Sequence, residues 1–350
     1  TTGEKNTAVG YLSLKSLTSA DNITALGTEA LEFLTTGTAN TAVGYRAGRN
    51  LTTSQNNTIV GYHTGENVST NNNVIMGNSA GRNITTGNGN NIVIGNAAAE
   101  NASDVDYSIL IGTQAGYNSS GSAKNVAIGY YAGQNLRVAE NSVRVGYYAG
   151  RYATGSFNTF LGSNAGLGGT ISAPYSSGER NTAVGYQALD AFTTGYENTA
   201  VGEQALSGLT TGYENVGIGT EAAKYLTTGV WNVSIGMNSG PNAMGSRIVA
   251  IGELAGRFNK GVGNVHIGYR AGFWVSGSYN VTIGMQAGQG GTSSAPYSTG
   301  TSNTAVGYQA LVGFTTGYGN TAVGANSLDA VTEGFYNIGI GPSAGGSITT

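Results

Sequence analysis

The nonapeptide Asn-Thr-Ala-Val-Gly-Tyr-Gln-Ala-Leu occurs at 181–189 and again at 303–311, and looser copies of it fill the rest of the chain. Close relatives begin at Asn6, Asn40, Asn198 and Asn320. The glycine that follows the apolar residue of each copy falls at 10, 27, 44, 61, 77, 95, 112, 129, 146, 162, 185, 202, 219, 236, 252, 268, 284, 307, 324 and 341. Most intervals are 16–18 residues, with two of 23. Such a period implies a stack of similar units, each too small to bury a core alone. It overrides the two or more globular domains that 350 residues would ordinarily suggest. The expectation is one repetitive unit over 1–350, with longer coils at 163–185 and 285–307.

Within each copy the residue before the glycine is Val, Ile or Leu, with Met76 in one case, and two residues earlier stands Thr, Val or Ile. Side chains on a strand alternate, so this outer pair shares one face. The residue between them varies from Ala to Ile59, Phe160, Arg144, His266 and Gly217. The pattern therefore predicts a short strand whose outer pair meets the core and whose middle residue meets solvent or a neighbour. Three residues after the glycine the side chain is always Ala, Ser or Thr, which predicts close packing. A Thr-Thr-Gly turn follows in many copies (35–37, 193–195, 210–212, 315–317), and Asn opens most of the next strands. Ile23, Ser108 and Ile248 are exceptions. A coil then reads strand, turn, shorter strand, turn. Stacked in parallel register, about twenty coils make an all-β parallel β-solenoid or β-roll, with an Asn amide ladder and a Val/Ile spine. At ~4.8 Å per coil it would be a rod roughly 95 Å long.

The apolar residues keep their phase, which argues against a disordered low-complexity chain despite 59 glycines and only 9% charged residues. A net charge of −3 offers no basic surface for nucleic acid. With no cysteine there are no disulfides or thiolate metal sites. No apolar run reaches the ~18 residues of a membrane span, so membrane insertion by this stretch is not expected. The first residues, Thr1-Thr-Gly3, repeat the turn that precedes other copies, and Ile348-Thr-Thr350 breaks off inside one. The stretch thus reads as a piece of a longer array. Each coil buries few side chains against the entropy of ordering about seventeen residues, so self-association into a homo-oligomer is expected.

NTAVGYQAL and NSVRVGYYAG (141–150) resemble the head repeats of trimeric autotransporter adhesins, and the longer NTAVGYxAL…LTTG unit resembles the repeat shafts of bacteriophage tail-fibre proteins. The resemblance covers the whole chain. It implies a left-handed, trimeric β-roll outside the cell, on a virion surface or on a bacterial surface.

Candidate sites are few. The two long coils carry matching insertions, GGTISAPYSSGERNTAVGYQAL at 168–189 and GGTSSAPYSTGTSNTAVGYQAL at 290–311. Insertions in solenoids become loops on one face, often a binding face. Pro174, Tyr175, Pro296 and Tyr297 are therefore candidate surface contacts, with a tolerated decorative loop as the alternative. Asn181, Val184, Gly185, Ala188, Asn303, Val306, Gly307 and Ala310 are read as structural. Tyr follows the repeated glycine at 11, 45, 62, 130, 147, 186, 269 and 308, either as a sugar-stacking stripe or as cover for the coil corner. Asp104 and Asp106 are the one close pair of aspartates, and His63 and His266 stand apart, so neither catalysis nor a metal centre is expected, and no cofactor. Gly217-Ile-Gly219 and Gly339-Ile-Gly341 lack the third glycine of a dinucleotide fingerprint. The expected function is a structural or adhesive fibre: the shaft of a trimeric phage tail fibre that supports host attachment, with a host glycan or protein as receptor. The alternatives are the head of a bacterial trimeric adhesin and an ice-binding solenoid.

Overall fold

The computed structural model describes residues 2–169, 175–242, 244–291 and 297–349. The protein is an all-β parallel solenoid. It divides into two compact units, Thr1–Arg180 and Asn181–Thr350. Each unit contains ten strands of three residues that end just before the repeated glycine, from Thr7–Val9 to Thr159–Leu161 and from Thr182–Val184 to Ile338–Ile340. Within a unit, like residues lie over like. Val126, Ala127 and Ile128 pair with Val143, Arg144 and Val145, and Thr182, Ala183 and Val184 pair with Thr199, Ala200 and Val201. A strand this short has no stability alone. Its N–H and C=O groups are satisfied by the coils above and below.

The opening asparagines form the expected ladder. Buried Asn198 donates its side-chain amide to Asn181 Oδ1 at 3.0 Å and to the Gly212 carbonyl at 3.0 Å, and its backbone N–H also reaches Asn181 Oδ1. Asn215 repeats the arrangement on Asn198, and Asn57 does so on Asn40. One carboxamide thus occupies two donors of the next coil while its own amide closes a turn, which is why its burial is tolerated. At Ile248 the side-chain link is lost, but the backbone N–H still donates to Asn232 Oδ1 at 3.0 Å.

Burial of the strand residues reverses the expected orientation. The middle residue faces the interior: Ala42, Ile59, Val93, Phe160, Ala183 and Ala305 are all fully buried. The outer pair points out, and Val9, Leu26 and Ile218 are 55%, 46% and 38% exposed. The middle position is varied because it exchanges volume with the residue four after the glycine. A large middle residue goes with a glycine there, as in Ile59/Gly65, Ile75/Gly81, Leu110/Gly116 and Phe160/Gly166. A small one often goes with leucine, as in Ala25/Leu31, Ala183/Leu189, Ala200/Leu206 and Ala322/Leu328, and those leucines are fully buried. The exchange also crosses coils: a Cβ on Gly48 would lie 2.9 Å from Leu31 Cδ2 and 3.0 Å from Ile59 Cδ1. Leu189 has φ 52°, a left-handed conformation costing roughly 1–2 kcal/mol, which the burial of its side chain offsets at about 1.5–3 kcal/mol. The outer pair is uniform for a different reason: it forms a regular outward surface.

The expected second strand is local, and where it forms it is no shorter than the first. Thr86–Gly89, Asp104–Asp106 and Ser120–Ala123 make a three-stranded parallel sheet. In other described coils that stretch is turn, with isolated bridges such as Ser246 to Val262. There the threonines take over the inter-coil contact: Thr193 Oγ1 donates to the Thr210 carbonyl at 3.1 Å and Thr210 Oγ1 to that of Thr227 at 3.0 Å. A hydroxyl that bonds along the stack competes with regular strand geometry.

Candidate functional site

The repeat residues singled out from sequence fall on two sides of the coil. Asn181, Ala188, Asn303 and Ala310 are buried, and Val184 and Val306 are half-buried on the outward side of the strand. Gly185 and Gly307 have φ of 135° and 134°, and a Cβ on either would come within 2.6 Å of the carbonyl of the next glycine in the column. Glycine is needed there for both conformation and close approach. It also brings the following residue back to the outer face. The outer pair and that residue together make an apolar surface on each unit, with Leu26, Tyr62, Met76, Tyr130 and Leu161 exposed in the first. Tyr186, Ile218, Met237, Ile283 and Tyr308 are exposed in the second. The tyrosines of this column stack on one another, Tyr45 on Tyr62 at 5.3 Å and Tyr130 on Tyr147 at 5.4 Å. Sequence periodicity identified these residues but assigned the outer pair to the interior, so it missed the surface they form.

Two columns flank that surface, occupied by the residues two and five after the glycine. In the first unit they carry alternating charge. Arg46 Nε lies 2.7 Å from Glu29, Arg49 Nε 2.7 Å from Glu32, and Arg82 Nε 2.9 Å from Glu66. Glu66 is buried, which by itself raises its carboxyl, but His63 at 2.9 Å and Arg82 outweigh this and hold it below the usual value. Thus His63, isolated in sequence, sits within hydrogen-bond distance of the carboxylate that Arg82 also engages. In the second unit the same columns carry amides, Gln204 Nε2 donating to Gln187 at 2.8 Å and Gln309 Nε2 to Gln286 at 2.9 Å, together with the ion pair of Lys224 and Glu221 at 2.8 Å. Asp190 stands there with its carboxyl pushed up to about 6 by burial.

The loop tyrosines are engaged within the chain. Tyr175 stacks on Tyr152 at 6.2 Å, with Arg137 5.0 Å from its ring centre. Tyr297 packs 5.6 Å from Trp274 and 5.1 Å from Phe258. Pro174 and Pro296 lie outside the described residues. The spacing that singled out the insertions could not reveal these partners, because Tyr152, Trp274 and Phe258 come beside the loops only once the coils are stacked.

The remaining polar residues that drew attention are structural. Asp106 accepts backbone N–H bonds from Asn88 and Gly89, which closes the small three-stranded sheet. His266 is fully buried and lowered to about 3 by that burial. Its Nε2 lies 2.6 Å from Asn259 Nδ2 and its Nδ1 2.8 Å from Thr282 Oγ1. Among the described residues no three His, Asp or Glu side chains group as a metal site, and no helix is long and apolar enough to cross a membrane. No protein-family model and no curated protein matches this sequence.

Proposed function

We propose that this chain is the shaft of a homotrimeric fibre on a virion surface, of the phage tail-fibre type, which carries a host-attachment element away from the particle. One observation carries the reading: coil after coil turns a pair drawn only from Thr, Val, Ile, Leu and Met outward. Strand propensity favours Thr, Val and Ile at the outer pair, but in an isolated solenoid solvent would tolerate other polar residues there too, and none but Thr occurs. A packing partner repeated at every coil supplies the reason, and further copies of the same chain present matching columns. Burying a half-exposed Val or Ile yields on the order of 1 kcal/mol, and repetition over twenty strands makes the sum large. The extracellular setting and the host receptor, glycan or protein, come with this reading, as does a bacterial adhesin head as its cell-surface counterpart.

Mass in solution by light scattering tests it. About three times the 35.4 kDa of one chain is the expected result; a folded monomer at micromolar concentration would sink it. The monomer would instead favour an ice-binding solenoid, for which Thr7, Thr24 and Thr58 face outward at strand spacing. Thermal hysteresis is its readout.

A further inference from the structure

We propose that the patch around Arg257 and Arg270 in the second unit binds a carboxylate-bearing oligosaccharide. The proposal names a ligand class for the attachment reading above and rests on it.

The flanking columns treat their arginines differently in the two units. In the first unit Arg46, Arg49, Arg82 and Arg151 are each paired through Nε with an acceptor from the preceding coil: Glu29, Glu32, Glu66 and, at 2.7 Å, Gln134 Oε1. Arg257, five after Gly252, and Arg270, two after Gly268, occupy the same columns in the second unit. One coil earlier the corresponding residues are Pro241 and Leu254, whose side chains cannot accept a hydrogen bond. Nε of each arginine is accordingly buried without a partner, while both residues remain half-exposed. The Nη edge is the accessible side of each guanidinium. A fork of this kind pairs best with a planar carboxylate.

The surroundings narrow the class. Arg257 Cζ lies 5.6 Å from the centre of Phe258, and Arg270 Cζ lies 5.3 Å from Tyr269 and 5.4 Å from Phe273. Phe258 meets Phe273 edge-on at 5.2 Å and stacks on Trp274 at 4.7 Å. The two cations are thus set in one continuous aromatic wall. Residues 241–291 carry Arg247, Arg257, Lys260 and Arg270 against the single acid Glu253, in a chain of net charge −3. A sulfate or phosphate ion would use the guanidinium edges and gain nothing from the rings. A nucleobase by itself offers no anionic group and would leave the guanidinium forks unused. A sugar acid uses both parts, its C–H surface against the exposed ring of Tyr269 and its carboxylate on the forks.

The test is calorimetric titration of the intact chain with α2,3-sialyllactose and with tetragalacturonate, each beside its neutral counterpart, lactose and galactotetraose. The expected result is binding of at least one acidic sugar, at least about tenfold tighter than its neutral partner. Arg257→Gln and Arg270→Gln should each weaken it about tenfold and together abolish it, whereas Arg46→Gln, in the paired column of the first unit, should leave it unchanged. No binding of either acid, equal binding of the neutral sugars, or unchanged affinity in the double variant overturns the proposal. Light scattering of the same double variant separates the two readings. A trimer that has lost sugar binding supports both, and loss of the trimer reassigns the arginines to subunit contacts and overturns the ligand. A trimeric wild type that ignores acidic sugars leaves the fibre standing without this site.

Discussion

The two units fill the same coil in opposite ways. Much of the first places bulk on the strand and glycine in the turn, as at Ile59/Gly65, Ile75/Gly81 and Phe160/Gly166. Four coils of the second instead place alanine on the strand and leucine in the turn, as at Ala183/Leu189 and Ala305/Leu311. The bulky residue is buried in either scheme. The same middle position holds each unit's most unusual core residue, Arg144 in the first and His266 in the second. Arg144 reaches only carbonyls, those of Ala153 at 3.4 Å and Gly155 at 3.3 Å, and its Nε and Nη1 are unpaired. His266 has a partner on both ring nitrogens. The interior thus conserves volume first and admits polarity second, at a cost set by how many hydrogen bonds the site supplies.

The largest expected effect comes from breaking the volume exchange. Leu206 is fully buried, and its Cγ stands 2.8 Å from where a Cβ on Gly217 would sit. Leu206→Ala should cost about 2–5 kcal/mol through the cavity it leaves. Gly217→Val alone should cost about 1–3 kcal/mol through overpacking. Combined, they move bulk from the turn of one coil onto the strand of the next and should recover at least half of the summed loss, read from urea midpoints. Strict additivity of the two losses would show that the positions do not share one space.

This exchange also explains how much could be read before the structure. Period, parallel register, the asparagine ladder and the small residue at Ala188 and Ala310 follow from residues recurring at fixed offsets, because stacking places like on like. The orientation of the strand did not. A period-two pattern states that Thr182 and Val184 share a face opposite Ala183, but not which face is inside. Variation at the middle position looked like solvent exposure because its compensating partner lies six residues away in sequence, as Leu189 does from Ala183. The ion pairs at Glu66 and the unpaired forks of Arg257 and Arg270 were equally hidden, since each depends on which residue one coil away occupies the same column.

A smaller effect separates Arg144 from His266. Replacing an unpaired buried charge by an apolar side chain of similar length removes a desolvation penalty, so Arg144→Met should stabilise the first unit by about 1–4 kcal/mol. Burial already draws its guanidinium down to about 9. The same replacement at His266 removes the partner of Asn259 Nδ2 and of Thr282 Oγ1 and should destabilise, by about 1–3 kcal/mol. Denaturant melts of both variants decide the matter, and a change of the same sign at both sites would erase the distinction.

Acid sharpens the contrast least in magnitude but most specifically. With Asn259 Nδ2 donating to it, His266 Nε2 acts as acceptor and the proton sits on Nδ1, facing Thr282 Oγ1. Protonating Nε2 would set two donors against each other inside a buried site, in keeping with a folded value near 3 against 6.5 unfolded. Between these values the unfolded chain binds the extra proton, so stability is full above about pH 6.5 and falls as pH drops towards 3. From pH 7 to pH 5 the loss should be about 2 kcal/mol. Phenylalanine fits between glycines in the same way at Phe160, beside Gly150 and Gly166, as His266 does beside Gly256 and Gly272. His266→Phe should therefore fold and lose this component, while Arg144→Met should retain it, since the guanidinium stays charged across that range. Equal pH dependence in wild type and His266→Phe, measured by urea melts at the two pH values, would place the acid sensitivity elsewhere in the chain.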